Sequence, residues 1–229
     1  MRARARPWMA LTPLALAAIA LLAAGCRRET RCERPPVLML HGYGGGAASF
    51  DRLIDALLAD GWARGDLRAV DLPAGEPIEA WGRLAAADAA SLQARSGCRV
   101  GLVGYSMGGL AARWAAGPGG AAAHLRAVIT VGAPNHGTPI AQTCDEPACL
   151  EMRAGSLFLA DLERAGAAAR VPLLSIAGAT DRVASPASAR LDGARNVTLC
   201  CPPHNRLLRH DGVIRAVQDA LSAPEGKGR

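Results

Sequence analysis

Residues 99–109 read Arg99-Val100-Gly101-Leu102-Val103-Gly104-Tyr105-Ser106-Met107-Gly108-Gly109. The first part is a short, continuous apolar run, which is typical of a strand buried on both faces of a parallel sheet. The run ends in the pattern G-x-S-x-G, and residues 107–116 then have the composition of a helix. A strand that turns sharply into a helix needs small residues on both sides of the turn, and Gly104 and Gly108 supply them. The stretch therefore predicts a βα unit with Ser106 raised on the turn at the edge of a sheet.

Similar units precede and follow this stretch. Short apolar runs predict strands at Val37–His41, Leu67–Leu72, Arg99–Gly104, Ala127–Gly132, Val171–Ala177 and Asn196–Cys200. Helical patterns lie between them, at residues 49–61 with Ser49 as the cap, and at residues 78–92, 107–116, 156–165 and 213–221. Strands that alternate with helices predict an α/β fold, in which a doubly wound, mainly parallel sheet carries helices on both faces. Ligands of such folds bind beyond the carboxyl ends of the strands.

The composition fits one folded domain and excludes several other classes of protein. The chain has 229 residues, of which 50% are hydrophobic and 20% charged, so it is neither disordered nor a coiled coil. The formal net charge is +6, but Arg2, Arg4 and Arg6 supply half of that excess. Aromatic residues make up 3% of the chain, which leaves little surface for stacking on bases. We therefore expect no nucleic-acid partner, and we expect a monomer.

The first 25 residues are predicted to be an export signal. The three arginines precede an apolar run from Met9 to Gly25, which is too short to cross a bilayer as a helix. Ala23, Ala24 and Gly25 stand directly before Cys26, as small residues do in the signals of bacterial lipoproteins. Cys26 would then carry the lipid that holds the protein at a membrane surface. Ordinary cleavage and secretion are the alternative, and either route places the protein outside the cytoplasm.

The prediction for the remaining chain is a short tether, one domain and a tail. Residues 26–36 are polar and rich in arginine, which fits a tether. Residues 37–222 contain every predicted strand and helix and form the domain. Residues 223–229 are predicted to be a disordered tail.

Cysteine number agrees with export, because lipidation of Cys26 leaves an even set of thiols for an oxidising compartment. Cys144 and Cys149 bracket a short loop and are predicted to form a local disulfide. Cys32 and Cys98 each precede a predicted strand, and they would meet if those two strands are neighbours. Cys200 and Cys201 would remain as a vicinal pair or as free thiols. Because no CxxC pair or spaced histidine accompanies the cysteines, no metal site is predicted.

The G-x-S-x-G turn makes Ser106 a candidate nucleophile, which needs a histidine base and an acid after it in the chain. His204 is the first choice, because it lies between the last predicted strand and the last helix, where a loop can bring it to Ser106. His210 is the second choice. His136 precedes every suitable acid, although it could line the site. His124 precedes a strand on the opposite edge of the sheet and is predicted to be a solvated loop residue.

Asp181 is the first candidate for the acid, because it comes just after the strand that ends at Ala177. Asp192 is the alternative, but Leu191-Asp192-Gly193 has the composition of a turn. An oxyanion would need backbone donors, and the amide of Met107 supplies one. The amide of Tyr43, in the glycine-rich stretch 41–46, supplies another. That stretch lacks the spacing of a dinucleotide-binding loop and the lysine of a P-loop, so phosphate binding is disfavoured.

These motifs resemble those of the α/β-hydrolase superfamily, and within it the small lidless bacterial triacylglycerol lipases and esterases of the lipase class 2 type. The resemblance runs from Val37 to Leu221 and rests on residues 37–45, 103–109 and 188–197. Pro203, where the family usually has glycine, and Cys200-Cys201-Pro202 depart from the family pattern.

The resemblance implies a serine carboxylic-ester hydrolase that acts on ester or lipid substrates without a cofactor or a metal. It implies a catalytic triad of Ser106, Asp181 and His204, and an oxyanion hole formed by the amides of Tyr43 and Met107. A thioesterase, an amidase or an acyltransferase would use the same residues on the same fold. A catalytically inactive envelope binding protein is the alternative from a different class.

Overall fold

The computed structural model describes residues 32–166 and 171–223. Its contacts separate residues 1–33 from residues 34–229, and the fold is that of the second unit. The predicted signal, Cys26, most of the predicted tether and residues 224–229 lie outside the described residues. Within the described ranges, no helix is both long and apolar enough to cross a membrane.

Six parallel strands form one sheet in the middle of the domain. In chain order they are β1 (Val37–Leu40), β2 (Leu67–Val70), β3 (Val100–Tyr105), β4 (Leu125–Val131), β5 (Leu173–Gly178) and β6 (Arg195–Leu199). The order across the sheet is β2-β1-β3-β4-β5-β6, and every neighbouring pair is parallel. All the predicted strands are present, so the predicted fold class is confirmed.

Helices cover both faces of this sheet. They are α1 (Asp51–Ala59), α2 (Ile78–Ser96), α3 (Met107–Ala116), α4 (Pro147–Met152), α5 (Leu157–Gly166), α6 (Pro186–Ala189) and α7 (Asp211–Ser222). Successive side chains of β1 point to opposite faces, so Leu38 and Leu40 pack with α2 and α3. Val37 and Met39 pack with α1 and α7 on the other face. The two apolar layers explain why the strands read as continuous apolar runs.

The ends of several elements differ from the sequence prediction. Ser49 lies inside a 3-10 turn, Ala47–Phe50, and does not cap the helix that follows it. Pro35 and Pro36, which belong to the predicted tether, are buried. Their carbonyls accept hydrogen bonds from the Trp62 indole and the Gly101 amide. The packed part of the chain therefore begins before Val37.

Disulfides join cysteines in the described part of the chain. The predicted disulfide between Cys144 and Cys149 is confirmed. Cys200 and Cys201 are bonded to one another, so the vicinal pair is the correct alternative. Cys32 and Cys98 are each disulfide-bonded, and β1 and β3 are neighbours as the prediction requires. The pairing of Cys32 with Cys98 stays a prediction.

Candidate active site

Ser106 lies on a sharp turn between β3 and α3. Its backbone has φ 54° and ψ −124°, a conformation that is rare for a residue with a side chain and that costs about 1–3 kcal/mol. The surrounding backbone holds it there, because the Ser106 amide donates to the Val131 carbonyl over 2.8 Å. The Gly109 amide donates to the Ser106 carbonyl over 2.9 Å. The strain is located at Ser106, the residue that the sequence makes the candidate nucleophile.

Gly104 and Gly108 are required because backbone atoms approach them closely. A Cβ atom on Gly108 would lie 2.2 Å from the carbonyl oxygen of Leu40. A Cβ atom on Gly104 would lie 2.3 Å from the carbonyl oxygen of Gly108. Neither contact can be relieved by a side-chain movement. The two glycines let α3 start directly against the end of β1, which brings Ser106 to the loop that follows β1.

A chain of hydrogen bonds links Ser106, His204 and Asp181. The Nε2 atom of His204 is 2.9 Å from the Ser106 Oγ atom. The Nδ1 atom of His204 is 2.7 Å from the Asp181 Oδ2 atom. If Nδ1 carries the proton and donates it to the carboxylate, Nε2 is left as an acceptor for the serine hydroxyl. The structure thus brings together the three side chains that the sequence singles out.

Both carboxylate oxygens of Asp181 take part in hydrogen bonds. Its side chain is fully buried, and its Oδ1 atom accepts hydrogen bonds from the amides of Val183 and Ala184 over 2.8 Å and 2.9 Å. The other oxygen, Oδ2, faces His204. Because the backbone bonds fix the carboxylate, it can fix the imidazole in turn.

The other candidate histidines and the alternative acid have other surroundings in the structure. His210 directly precedes α7, and its Nδ1 atom accepts a hydrogen bond from the Gly212 amide over 3.2 Å, so it is the N-cap of that helix. His124 bonds to Gln93, and the side chain of His136 is exposed and does not line the pocket at Ser106. Asp192 is exposed in a turn and pairs with Arg190 over 3.7 Å.

The glycine-rich loop after β1 lies directly against Ser106. A Cβ atom on Gly42 would be 2.9 Å from the Cβ atom of Ser106. His41, at the start of this loop, is held by a hydrogen bond. Its Nε2 atom accepts this bond from the Leu72 amide over 2.9 Å. The Nδ1 atom therefore carries the proton in neutral His41 and donates to the Gly42 carbonyl over 2.8 Å. Tyr43, the next residue, lines a cavity together with Met107, the first residue of α3.

Tyr105 is a residue of the site that the sequence did not single out. Its ring stacks on the His204 ring with 5.1 Å between centroids, and its hydroxyl donates to the His204 carbonyl over 3.0 Å. Burial, and secondarily the charge of Asp181, raises the pKa of Tyr105 to about 12. The phenol therefore stays protonated over the neutral range and can keep donating. Its position within G-x-S-x-G was visible in the sequence, but that motif does not specify this residue.

A pocket of about 390 Å³ opens beside Ser106 and His204. Its outer wall is formed by residues 134–152, which we call the roof. The side chains that line the pocket from the roof are Pro134, Thr138, Ile140, Ala141, Thr143, Cys144, Cys149 and Met152. Most of them are apolar. The Oγ1 atom of Thr138 is buried and has no hydrogen-bond partner among the described residues.

Side-chain links hold the roof in place. The Cys144–Cys149 disulfide closes its central loop, and Arg153 donates to the Cys144 carbonyl over 3.0 Å and to Asp145 over 2.7 Å. Glu151 accepts from the Ile78 amide at the start of α2 over 2.5 Å. Burial raises the pKa of Glu151 overall, although this hydrogen bond acts in the opposite direction. At the pocket mouth, the Tyr43 hydroxyl donates to the Glu146 Oε2 atom over 3.0 Å.

Comparison with known proteins agrees with this architecture. A model of the alpha/beta hydrolase family matches residues 37–224. The mature lipase BlEst2 of Bacillus licheniformis superposes with a TM-score of 0.75 at 18% identity, covering 83% of this chain and 93% of the lipase. No curated protein matches the sequence significantly.

Two further solved structures have a similar fold. Lipase B of Aspergillus fumigatus gives a TM-score of 0.70 at 19% identity, covering 86% of this chain and 54% of that chain. A monoacylglycerol lipase of Paleococcus ferrophilus gives 0.58 at 16% identity, covering 82% and 95%. At these identities the likeness shows the fold alone.

Proposed function

The chain belongs to the α/β-hydrolase family, and from that premise we propose that it is a serine carboxylic-ester hydrolase that forms an acyl-enzyme. The observation that carries the proposal is the continuous hydrogen-bonded chain from the Ser106 Oγ atom through both nitrogens of His204 to Asp181. A serine hydroxyl is a weak nucleophile until a neighbouring base removes its proton. In this proposal His204 is that base, and Asp181 is the group that orients it.

In the first half of the proposed reaction, Ser106 attacks the carbonyl carbon of the ester. His204 Nε2 takes the Oγ proton as the new C–O bond forms, and Asp181 stabilises the resulting imidazolium. The tetrahedral intermediate then collapses, the ester C–O bond breaks, and the proton on Nε2 passes to the departing alkoxide. The products of this half are the alcohol and an acyl group on Ser106.

Water completes the cycle. His204 removes a proton from the water as its oxygen attacks the acyl carbon, and the same proton returns to the Ser106 Oγ atom when the C–O bond to serine breaks. The carboxylic acid leaves, and the enzyme regains its starting protonation state. In both halves the amides of Tyr43 and Met107 are the proposed donors to the oxyanion. Met107 is the first residue of α3, where an amide has no partner within the helix.

Several features support an ester or lipid as the substrate. The pocket at Ser106 is lined mainly by carbon, which suits an acyl chain. The proteins of similar structure include lipases of Bacillus licheniformis and Aspergillus fumigatus and a monoacylglycerol lipase of Paleococcus ferrophilus. The disulfides are compatible with a place outside the cytoplasm, and we propose lipid attachment at Cys26 as the link to a membrane surface.

The test is covalent labelling with a fluorophosphonate, together with hydrolysis of p-nitrophenyl esters. Ser106→Ala should lose labelling and lose at least about 10⁴-fold in kcat, because the hydroxyl forms the intermediate. Ser91→Ala, on the exposed side of α2, is the matched control and should keep both. Ester turnover by Ser106→Ala at the wild-type rate would overturn the proposal.

The same assay distinguishes the other reactions of this fold. Acyl thioesters, anilides and an added acceptor alcohol test for a thioesterase, an amidase and an acyltransferase. The substrate with the highest kcat/KM identifies the class. A binding protein without activity would leave Ser106 unlabelled and every substrate intact.

A further inference from the structure

A second cavity of about 180 Å³ lies on the other side of the glycine-rich loop from the pocket at Ser106. We call it the side cavity. Its apolar walls are the buried side chains of Trp81, Met107 and Ala148 and the partly buried side chain of Leu72. Trp81 is fixed in that wall, because its indole donates to the Pro73 carbonyl over 2.8 Å and its ring meets His41 edge-on. The mechanism proposed for Ser106 leaves this cavity without a role.

Tyr43 lines both the pocket at Ser106 and the side cavity. Its side chain is about half exposed, so burial does not fix its ring. The hydrogen bond from its hydroxyl to Glu146 crosses from the glycine-rich loop to the roof, over 103 residues of chain. Glu146 directly precedes α4 and lies within the loop closed by the Cys144–Cys149 disulfide. Tyr43 therefore borders both largely apolar spaces, and its bonded partner Glu146 borders the side cavity.

We propose that the Tyr43–Glu146 hydrogen bond is a partition that limits the acyl chain length accepted at Ser106, and that the side cavity binds the distal methylenes of longer chains when the partition opens. The proposal rests on the ester hydrolase function proposed above. The closed pocket, about 390 Å³, is near the lower end of volumes found for small-molecule sites. The side cavity would add about 180 Å³ of largely apolar space for the distal methylenes of a longer acyl group.

The partition can open because its two members are exposed to water. Tyr43 and Glu146 are both on the surface, where water competes for the hydroxyl and for the carboxylate. Hydrogen bonding to Glu146 raises the pKa of Tyr43, so the phenol remains a donor over the neutral range. No packed side chain has to leave the core for the ring to turn. Each methylene transferred from water into the side cavity should raise kcat/KM by about fourfold.

The test compares variants of Glu146 on p-nitrophenyl butyrate and p-nitrophenyl decanoate. Glu146→Ala removes the acceptor, and we expect it to raise the ratio of kcat/KM for decanoate over butyrate by about tenfold or more. The butyrate value should stay within about twofold of wild type, because the groups around Ser106 are untouched. Glu146→Gln retains an acceptor oxygen for Tyr43 and should keep the wild-type ratio.

Asp145→Ala is the matched control, because Asp145 is an exposed acid directly before Glu146 and lines neither the pocket at Ser106 nor the side cavity. It removes the same charge from the same loop, while Arg153 keeps its bond to the Cys144 carbonyl, and it should not change the ratio. An unchanged ratio in Glu146→Ala would overturn the proposal. Equal increases in Glu146→Ala, Glu146→Gln and Asp145→Ala would assign the effect to charge and would also overturn it.

Labelling of Ser106 with a short-chain fluorophosphonate separates this result from failure of the proposed function. If each variant labels and hydrolyses butyrate but the ratio does not change, only the partition is wrong. If the wild type neither labels nor hydrolyses any ester, the proposed function fails and the partition fails with it. Matching melting temperatures for the four proteins exclude misfolding as the cause of a changed ratio.

Discussion

The two sides of the pocket at Ser106 are built differently. One side is formed by Ser106, Asp181 and His204, which follow the carboxyl ends of strands. We call this side the sheet edge. Backbone contacts fix two of these residues, the Val131 carbonyl for Ser106 and the amides of residues 183 and 184 for Asp181. On the other side, the roof consists of short helices and turns. Individual side chains hold it: a disulfide, Arg153, Glu151 and the Tyr43–Glu146 bond.

This difference separates reactivity from selectivity. The close contacts at the sheet edge leave no space for adjustment, since even a single added Cβ at Gly108 would meet backbone at 2.2 Å. The links of the roof join individual side chains, and we expect that each can be removed singly without disturbing the sheet. Changes at the sheet edge should therefore abolish the chemistry, and changes in the roof should alter stability or substrate preference. The following experiments test this separation, beginning with the largest effect.

His204→Ala should lower kcat for ester hydrolysis by several orders of magnitude, about 10⁴-fold or more, because no other base lies within reach of Ser106 in the described residues. His210→Ala is the matched control, six residues along the chain. It removes a helix cap and should cost about 1 kcal/mol of unfolding free energy while activity is kept. Initial rates and thermal unfolding of both variants are the measurements. Loss of activity in His210→Ala alone would contradict the geometry.

The double variant Cys144→Ala/Cys149→Ala should lower the free energy of unfolding by about 2 kcal/mol, since this disulfide closes a short loop. Labelling of Ser106 by a small fluorophosphonate should proceed as in the wild type. Urea unfolding and labelling rates, both without reductant, are the measurements. If labelling is lost while the protein remains folded, the sheet edge depends on the roof and the two sides are not separable.

Glu151→Gln tests the smallest effect. Because the folded-state pKa of Glu151 is raised, the folded protein binds this proton more tightly than the unfolded chain. The contribution of this group to the free energy of unfolding is therefore present at low pH and is lost as the pH rises through the raised pKa. Glutamine does not titrate and still offers an oxygen to the Ile78 amide.

Glu151→Gln should consequently melt higher than wild type at pH 8, and the difference should shrink as pH falls through the carboxyl range. Thermal unfolding between pH 4 and pH 8 measures it, with exposed Glu76→Gln as the control. A difference that grows on acidification would show that the carboxylate is favoured by folding.

The sheet edge could be predicted from the sequence because its determinants are local. Strands buried on both faces read as continuous apolar runs, and each one was found. The G-x-S-x-G turn specifies Ser106, and the order of the chain then narrows the choice of base and acid. In the structure His204, the first choice of base, is hydrogen-bonded to Ser106, and Asp181, the first choice of acid, is hydrogen-bonded to His204. Their catalytic roles stay proposals.

The roof could not be predicted, for reasons that are equally physical. Helix α4 has six residues, too few for a helical period to be recognised. The Tyr43–Glu146 bond joins exposed side chains from distant parts of the chain, and neither residue type signals the other. Only Cys144 and Cys149 gave a signal in this segment, because two cysteines flanking a short loop are an inherently local pattern.

The chain contains two tyrosines, and they can serve as spectroscopic reporters for the two sides of the pocket at Ser106. Tyr105 stacks on His204 at the sheet edge, and Tyr43 bonds to Glu146 at the roof. Uniform incorporation of fluorotyrosine therefore yields a ¹⁹F spectrum of two resonances, with one reporter for each side of the pocket. A ligand attached to Ser106 should shift the Tyr105 signal, and opening of the partition should shift and broaden the Tyr43 signal. One spectrum then follows both sides at once, because each of the two tyrosines lines the pocket.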